Sequence, residues 1–124
     1  MKFELTFGIV PGYGHGNKEA PGRKEIVGKC REVMNIVLAE TGVLITMNIV
    51  PTVAVYSMEH GCPEMGEHTM TANGVWNQEF CKDEAVWQAA VKRFATLIGA
   101  AFRQTTIYLL FVESFFHYIK PEKV

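Results

Sequence analysis

Met58-Glu59-His60-Gly61-Cys62-Pro63-Glu64-Met65-Gly66-Glu67-His68 is the stretch on which the reading of this chain depends. Two glycines and a proline within these eleven residues mark a turn. Extended runs lie on both sides, so the turn joins two strands with no helix between them. It also carries two histidines, a cysteine and three carboxylates. Any chemistry is therefore sought here first, with the other elements read as scaffolding around it.

Upstream, residues 43–57 read as a strand region: Val43, Ile45, Met47 and Ile49 alternate with Leu44, Thr46, Asn48 and Val50. Pro51 interrupts it, which confines this strand to an edge, bent at the proline. Downstream, Glu67 to Val75 form a weaker strand that Asn73-Gly74 is expected to end. Further out, residues 2–10 alternate, with Phe3, Leu5, Phe7 and Ile9 on one face and Lys2, Glu4 and Thr6 on the other. The last strand is read over 104–118 and is apolar on both faces. Ile107, Leu109, Phe111 and Phe115 point one way; Tyr108, Leu110, Val112, Phe116 and Tyr118 point the other.

Two helices separate these strands. One covers about Arg23 to Glu40, with a stripe at Ile26, Val27, Cys30, Val33, Met34, Val37 and Leu38 and a stop at Thr41-Gly42. Cys30 falls inside the stripe and is a small core residue. The other covers about Glu84 to Phe102, capped by Asp83. Trp87, Val91, Ala95, Ile98 and Phe102 widen its apolar face until it must be buried on more than one side. The order strand–helix–strand–strand–helix–strand resembles the split βαβ pattern of ferredoxin-like α+β domains. The expectation is an antiparallel four-stranded sheet with two helices on one face.

At 124 residues, 48% hydrophobic and 20% charged, the chain reads as one globular domain spanning 1–124. A net charge of −1 gives no global field for nucleic acid or anionic lipid, so neither is expected as a partner. Cys30, Cys62 and Cys81 are odd in number and irregularly spaced, which argues against a disulfide framework. The N-terminus lacks a signal-peptide pattern, and no run reaches the roughly 18 apolar residues of a membrane span. A reduced, cytoplasmic setting is the expectation.

In that topology three connections meet at one end of the sheet: the glycine loop 10–22, the 58–66 turn and the 99–105 connector. His15, His60, Cys62, Glu64, Arg103 and Gln104 would gather there, with Asp83 and Gly42 at the opposite end. Three chemistries are open. His60, Cys62, Glu67 and His68 are candidate metal ligands by type, although no standard ligand spacing is present. Cys62, served by His60, His15 or His68 and assisted by Glu64, is a candidate catalytic centre that needs an exposed, low-pKa thiol. Gly12, Gly14, His15 and Gly16, followed by Arg23 and Lys24 at a helix start and joined by Arg103, form a candidate anion site. Their spacing matches no nucleotide-binding fingerprint.

The preferred functional reading is a non-enzymatic, oligomeric binding protein for a small anionic ligand, such as a phosphate- or nucleotide-bearing one. A small enzyme using the His/Cys/Glu cluster of the 58–68 turn, with or without a metal, is the second reading. A protein–protein interaction module is the third. No cofactor is assigned. Oligomerisation is expected through strand 104–118 and helix 84–102, whose apolar surface exceeds what a monomer usually exposes.

Overall fold

The computed structural model describes residues 1–11 and 19–123. Its elements run β1 (Lys2–Gly8), α1 (Arg23–Thr41), β2 (Asn48–Ala54), a 3-10 turn at Met58–His60, β3 (Glu67–Val75), α2 (Glu84–Ala101) and β4 (Tyr108–Val112). One antiparallel sheet has the order β2-β3-β1-β4, with β1 and β3 central. The expected α+β, ferredoxin-like βαββαβ architecture is the observed one.

The alternation of β1 decides which face is covered. Phe3, Leu5 and Phe7 are fully buried, opposite Gly74, Ala72 and Met70 on β3. Their rings meet the helical layer, with Phe3 6.0 Å from Trp87 and Phe7 5.2 Å from Phe102. Ile26, Cys30, Val33 and Val37 of α1 and Ala90, Val91, Phe94 and Ile98 of α2 complete the core. Each large side chain so buried contributes roughly 1.5–3 kcal/mol. Burial pushes the Cys30 thiol up to about 11, as expected of a core residue. The other face of the sheet carries Lys2, Glu4 and Thr6 with Thr71 and Asn73, all partly exposed.

The helix ends follow their sequence signals. The Asp83 carboxylate accepts from the backbone N–H groups of Ala85 (2.9 Å) and Val86 (3.3 Å). Gly42 closes α1 in the left-handed conformation, at φ 75°, its N–H donating to Leu38 O. Arg93 of α2 grips Glu40 of α1 with Nε and a terminal nitrogen at 2.9 and 3.1 Å. That hydrogen bonding, aided by the guanidinium charge, holds the Glu40 carboxyl below the usual carboxylate range. The broad apolar face of α2 is used within the monomer: Trp87, Val91 and Phe102 are buried against the sheet and α1.

Three element readings need correction. Residues 43–47 are not strand: Val43 and Ile45 are buried and Leu44 and Thr46 exposed, so their alternation reports burial at the core's edge, not pairing. The expectation that Pro51 lies on an edge strand holds: it sits inside β2 opposite Met70, and β2 is an edge. Gly74 does not end β3. It sits within the strand where a Cβ would run into the Phe3 ring and lie 2.6 Å from Thr46 O. Finally, β4 has five residues, not fifteen. Its partner β1 begins at Lys2, opposite Val112, so later residues have no ladder to join. They leave the sheet, and Tyr118 packs edge-on against Phe80 at 5.8 Å while Lys120 lies 3.9 Å from Glu79.

Candidate active site

Antiparallel pairing carries the ends of β1 and β2 to the same edge as the starts of β3 and β4. A cleft of about 640 Å³ opens there. Thr6 and Gly8 come from β1, Ala54 to Tyr56 from the end of β2, and His60 from the 3-10 turn. Glu67 opens β3, and Arg103 to Thr106 with Tyr108 close the far side. Register explains the side-chain directions: Ala54 pairs with Glu67, and Thr6 with Thr71 and Tyr108, so these residues share the face of the sheet that the helices leave open.

The floor beside the cleft is held by hydroxyls. Thr6 and Thr71 lie 3.2 Å apart, Thr52 and Thr69 2.7 Å, and Thr52 and Thr71 3.1 Å. Cross-strand threonine pairs of this kind fix register and rotamer together. The 102–106 segment is fixed by Gln104, whose Nε2 donates to Val10 O and Phe102 O, both at 3.0 Å. That amide fills the space above Gly8, where a Cβ would collide with it. The segment therefore rests on the end of β1 at a position where a Cβ would displace the Gln104 amide.

The expected clustering holds for His60, Arg103 and Gln104, which line one cleft although far apart in sequence. Gly12, Gly14, His15 and Gly16 lie outside the described residues. Arg23 and Lys24 are exposed on the first turn of α1 and are not among the cleft's lining residues. Glu64 is exposed on the outer part of the turn. Cys62, expected to be exposed, is 8% exposed, and its Sγ donates to Pro63 O at 3.4 Å. The turn folds over the small apolar thiol, which removes the access a nucleophile needs. Glu67 and His68 are neighbours on a strand and so face opposite sides of the sheet. Among the described residues, no group of three or more His, Cys, Asp or Glu side chains is placed to hold a metal ion.

Thiol reactivity tests this placement. Cys81, in the connection between β3 and α2, is half-buried, whereas Cys30 and Cys62 are buried. One thiol per chain is expected to react rapidly with an aromatic disulfide reagent in the native protein, and three after denaturation. Two rapid thiols would return Cys62 to the surface.

Among the described residues, the cleft's charged lining consists of one acid, Glu67, one base, Arg103, and the titratable His60. Residue type alone marks Glu67 only as a metal ligand, and it does not single out Tyr56, Thr105, Thr106 or Tyr108 as site residues. The alternation of β3 contains the signal for Glu67. With Met70 and Ala72 on the core side, residues 67, 69, 71 and 73 must face the other way.

The family model of the SAM lyases matches residues 1–120. The chain belongs to the SAM lyase family. The match spans every lining residue of the cleft, from Thr6 to Tyr108. A solved structure described as a phage SAM lyase in the apo state superposes with a TM-score of 0.59. Its sequence is 12% identical over 92% of this chain and 90% of that chain, a likeness of fold. No curated protein matches the chain. Membership of the SAM lyase family overturns the reading as a non-enzymatic protein for an anionic ligand. A glycine loop and basic residues at a helix start indicate binding of an anion and carry no information about turnover. Among the described residues, no helix is long and apolar enough to cross a membrane.

Proposed function

We propose that the protein degrades S-adenosylmethionine in the cleft between the 54–60 segment and the 103–108 segment. The observation that carries this reading is the family match over residues 1–120. A lyase breaks a bond without water. In a sulfonium substrate the bond is carbon–sulfur: its electron pair moves to sulfur, and a neutral thioether leaves while the carbon either forms a double bond as a neighbouring proton passes to a base or takes a new bond from the substrate's own carboxylate oxygen, closing a lactone.

The charge pattern supports this cleft over the other large cavity. That cavity, about 390 Å³, lies at the opposite end of the sheet and is lined by Trp87, Phe80, Phe116 and Tyr118. Among the described residues its one charged lining group is Lys2, which is paired with Glu4 at 3.2 Å, and no carboxylate lines the cavity. The cleft at the start of β3 offers the Glu67 carboxylate instead. Incubation of the purified protein with S-adenosylmethionine, followed by chromatography, tests the reading. A thioether nucleoside should appear in step with loss of substrate. Recovery of intact substrate at high enzyme concentration would refute it.

The protein is also read as a homo-oligomer through β4 and the segment after it. Tyr108 is 74% exposed, Leu110 54% and Phe115 100%, a concentration of apolar surface beside an unpaired sheet edge. Trp87, Val91 and Phe102 of α2, expected to join this surface, belong to the monomer's own core. Light scattering at low micromolar concentration should give a multiple of 13.9 kDa. A stable, soluble species at the chain mass would refute assembly.

A further inference from the structure

Arg103 occupies a backbone position made for glycine. Helix α2 ends at Ala101 with Phe102 as its cap. The next residue, Arg103, has φ 56°, and among the described non-glycine residues it alone has a positive φ. Its N–H donates to Ala100 O at 3.1 Å, and the N–H of Gln104 donates to Gly99 O at 2.8 Å. These two bonds form the Schellman closure of a helix, whose left-handed residue is most often glycine because a Cβ is crowded there. The chain follows that preference at the end of α1, where Gly42 takes φ 75°. At the end of α2, beside the cleft, it places the largest cationic side chain at the same kind of position.

The local structure does not use that side chain. Arg103 is exposed, and no hydrogen bond or ion pair joins its guanidinium to any described residue. Backbone strain that no neighbouring contact offsets points to function. Arg103 lines the same cleft as Glu67, so an acid and a base face one space. An amino acid's ammonium and carboxylate present the complementary pair, and a guanidinium fork matches a carboxylate in shape as well as charge.

We propose that Arg103 recognises the α-carboxylate of the substrate and sets specificity for it, and that the left-handed turn after α2 is held at arginine for this purpose. The assignment rests on the reading of this cleft as the S-adenosylmethionine site. The test uses the full-length protein, Arg103→Gly and Arg103→Lys, with three measurements: consumption of S-adenosylmethionine, calorimetric affinity for S-adenosylhomocysteine and for its decarboxylated counterpart, and the thermal midpoint without ligand. The native protein should prefer the carboxylate-bearing ligand by about 10- to 100-fold. Arg103→Gly should abolish that preference while its midpoint rises by about 2–5 °C, because glycine relieves the backbone. Arg103→Lys should keep part of the preference and none of the gain in midpoint. A preference unchanged in Arg103→Gly, in a native protein that consumes S-adenosylmethionine, would overturn the role of Arg103 and leave the activity standing. A midpoint lowered by several degrees in Arg103→Gly would overturn the strain argument. A native protein that leaves S-adenosylmethionine intact would overturn the site reading first and this inference with it.

Discussion

Glu67→Gln is expected to lower kcat/KM for S-adenosylmethionine by about 10- to 150-fold, mainly through KM, since a hydrogen bond to a charged group is worth roughly 1.5–3 kcal/mol and each 1.36 kcal/mol is a factor of ten. The direction of the split follows from what happens to charge during the reaction. The sulfonium loses its positive charge as the carbon–sulfur bond breaks. A carboxylate placed beside the sulfur would therefore stabilise the substrate more than the transition state and slow the chemical step. The ammonium, by contrast, keeps its charge throughout. A carboxylate facing the ammonium binds substrate and transition state alike, and its loss appears in KM. Glu67 shares the cleft with neutral hydroxyl groups at Thr6, Thr105, Thr106 and Tyr108, so an uncharged surface is available for the sulfur. Steady-state kinetics of Glu67→Gln against the native protein checks this. A fall of about 1000-fold or more in kcat with KM unchanged would instead assign Glu67 as a base that removes a substrate proton.

Gly74→Ala is expected to destabilise the fold by about 2–3 kcal/mol, at the upper end of the usual cost of overpacking. The reason is the crossing of two segments over β3. A Cβ at Gly74 would meet the ring of Phe3, which is fully buried and cannot swing away, and would lie 2.6 Å from the carbonyl oxygen of Thr46. A ring in a packed core and a backbone carbonyl are both poor at giving way. Gly28 provides the control. It lies within α1, and a methyl group added there would meet nothing within 4 Å, so Gly28→Ala should gain about 0.5–1 kcal/mol from helix propensity. Urea midpoints at unchanged m-value measure both. A Gly74→Ala variant within about 0.5 kcal/mol of the native protein would remove the close crossing of residues 43–47 from the account.

The contrast between these two glycines shows what a sequence can and cannot convey. Alternation at Phe3, Leu5 and Phe7, the stripe from Ile26 to Val37, the cap at Asp83 and the stop at Gly42 are local signals, and each element they mark is present. Gly74 carries the same letter as a turn residue, yet its role is set by Phe3 and Thr46, which are distant along the chain. Residues 113–118 are as apolar as a strand, but a strand needs a partner, and β1 has no residues left to pair with them. The site divides the same way. The meeting of the 58–66 turn with the 99–105 connector follows from topology alone and is seen in the cleft. The inward turn of Cys62 depends on how the 57–66 segment closes on itself through Cys62 N–H to Ser57 O and Gly66 N–H to Pro63 O. Composition favoured the cysteine and the histidines of that turn, whereas position on the sheet favours Glu67.

The central place of β1 also bears on how the protein is made. Lys2 to Gly8 leave the ribosome well before their ladder partners, residues 69–75 and 108–112. Synthesis at about 5–20 residues per second leaves Phe3, Leu5 and Phe7 without a sheet for several seconds. Helices α1 and α2 can form early from local contacts, but the surface they share with β1 needs the sheet that β3 begins. The newborn chain thus carries its most deeply buried strand unpaired until β3 has been made. During that interval a chaperone that grips short greasy segments would find its target in β1, and chains stalled before residue 69 would be the ones directed to aggregation or proteolysis.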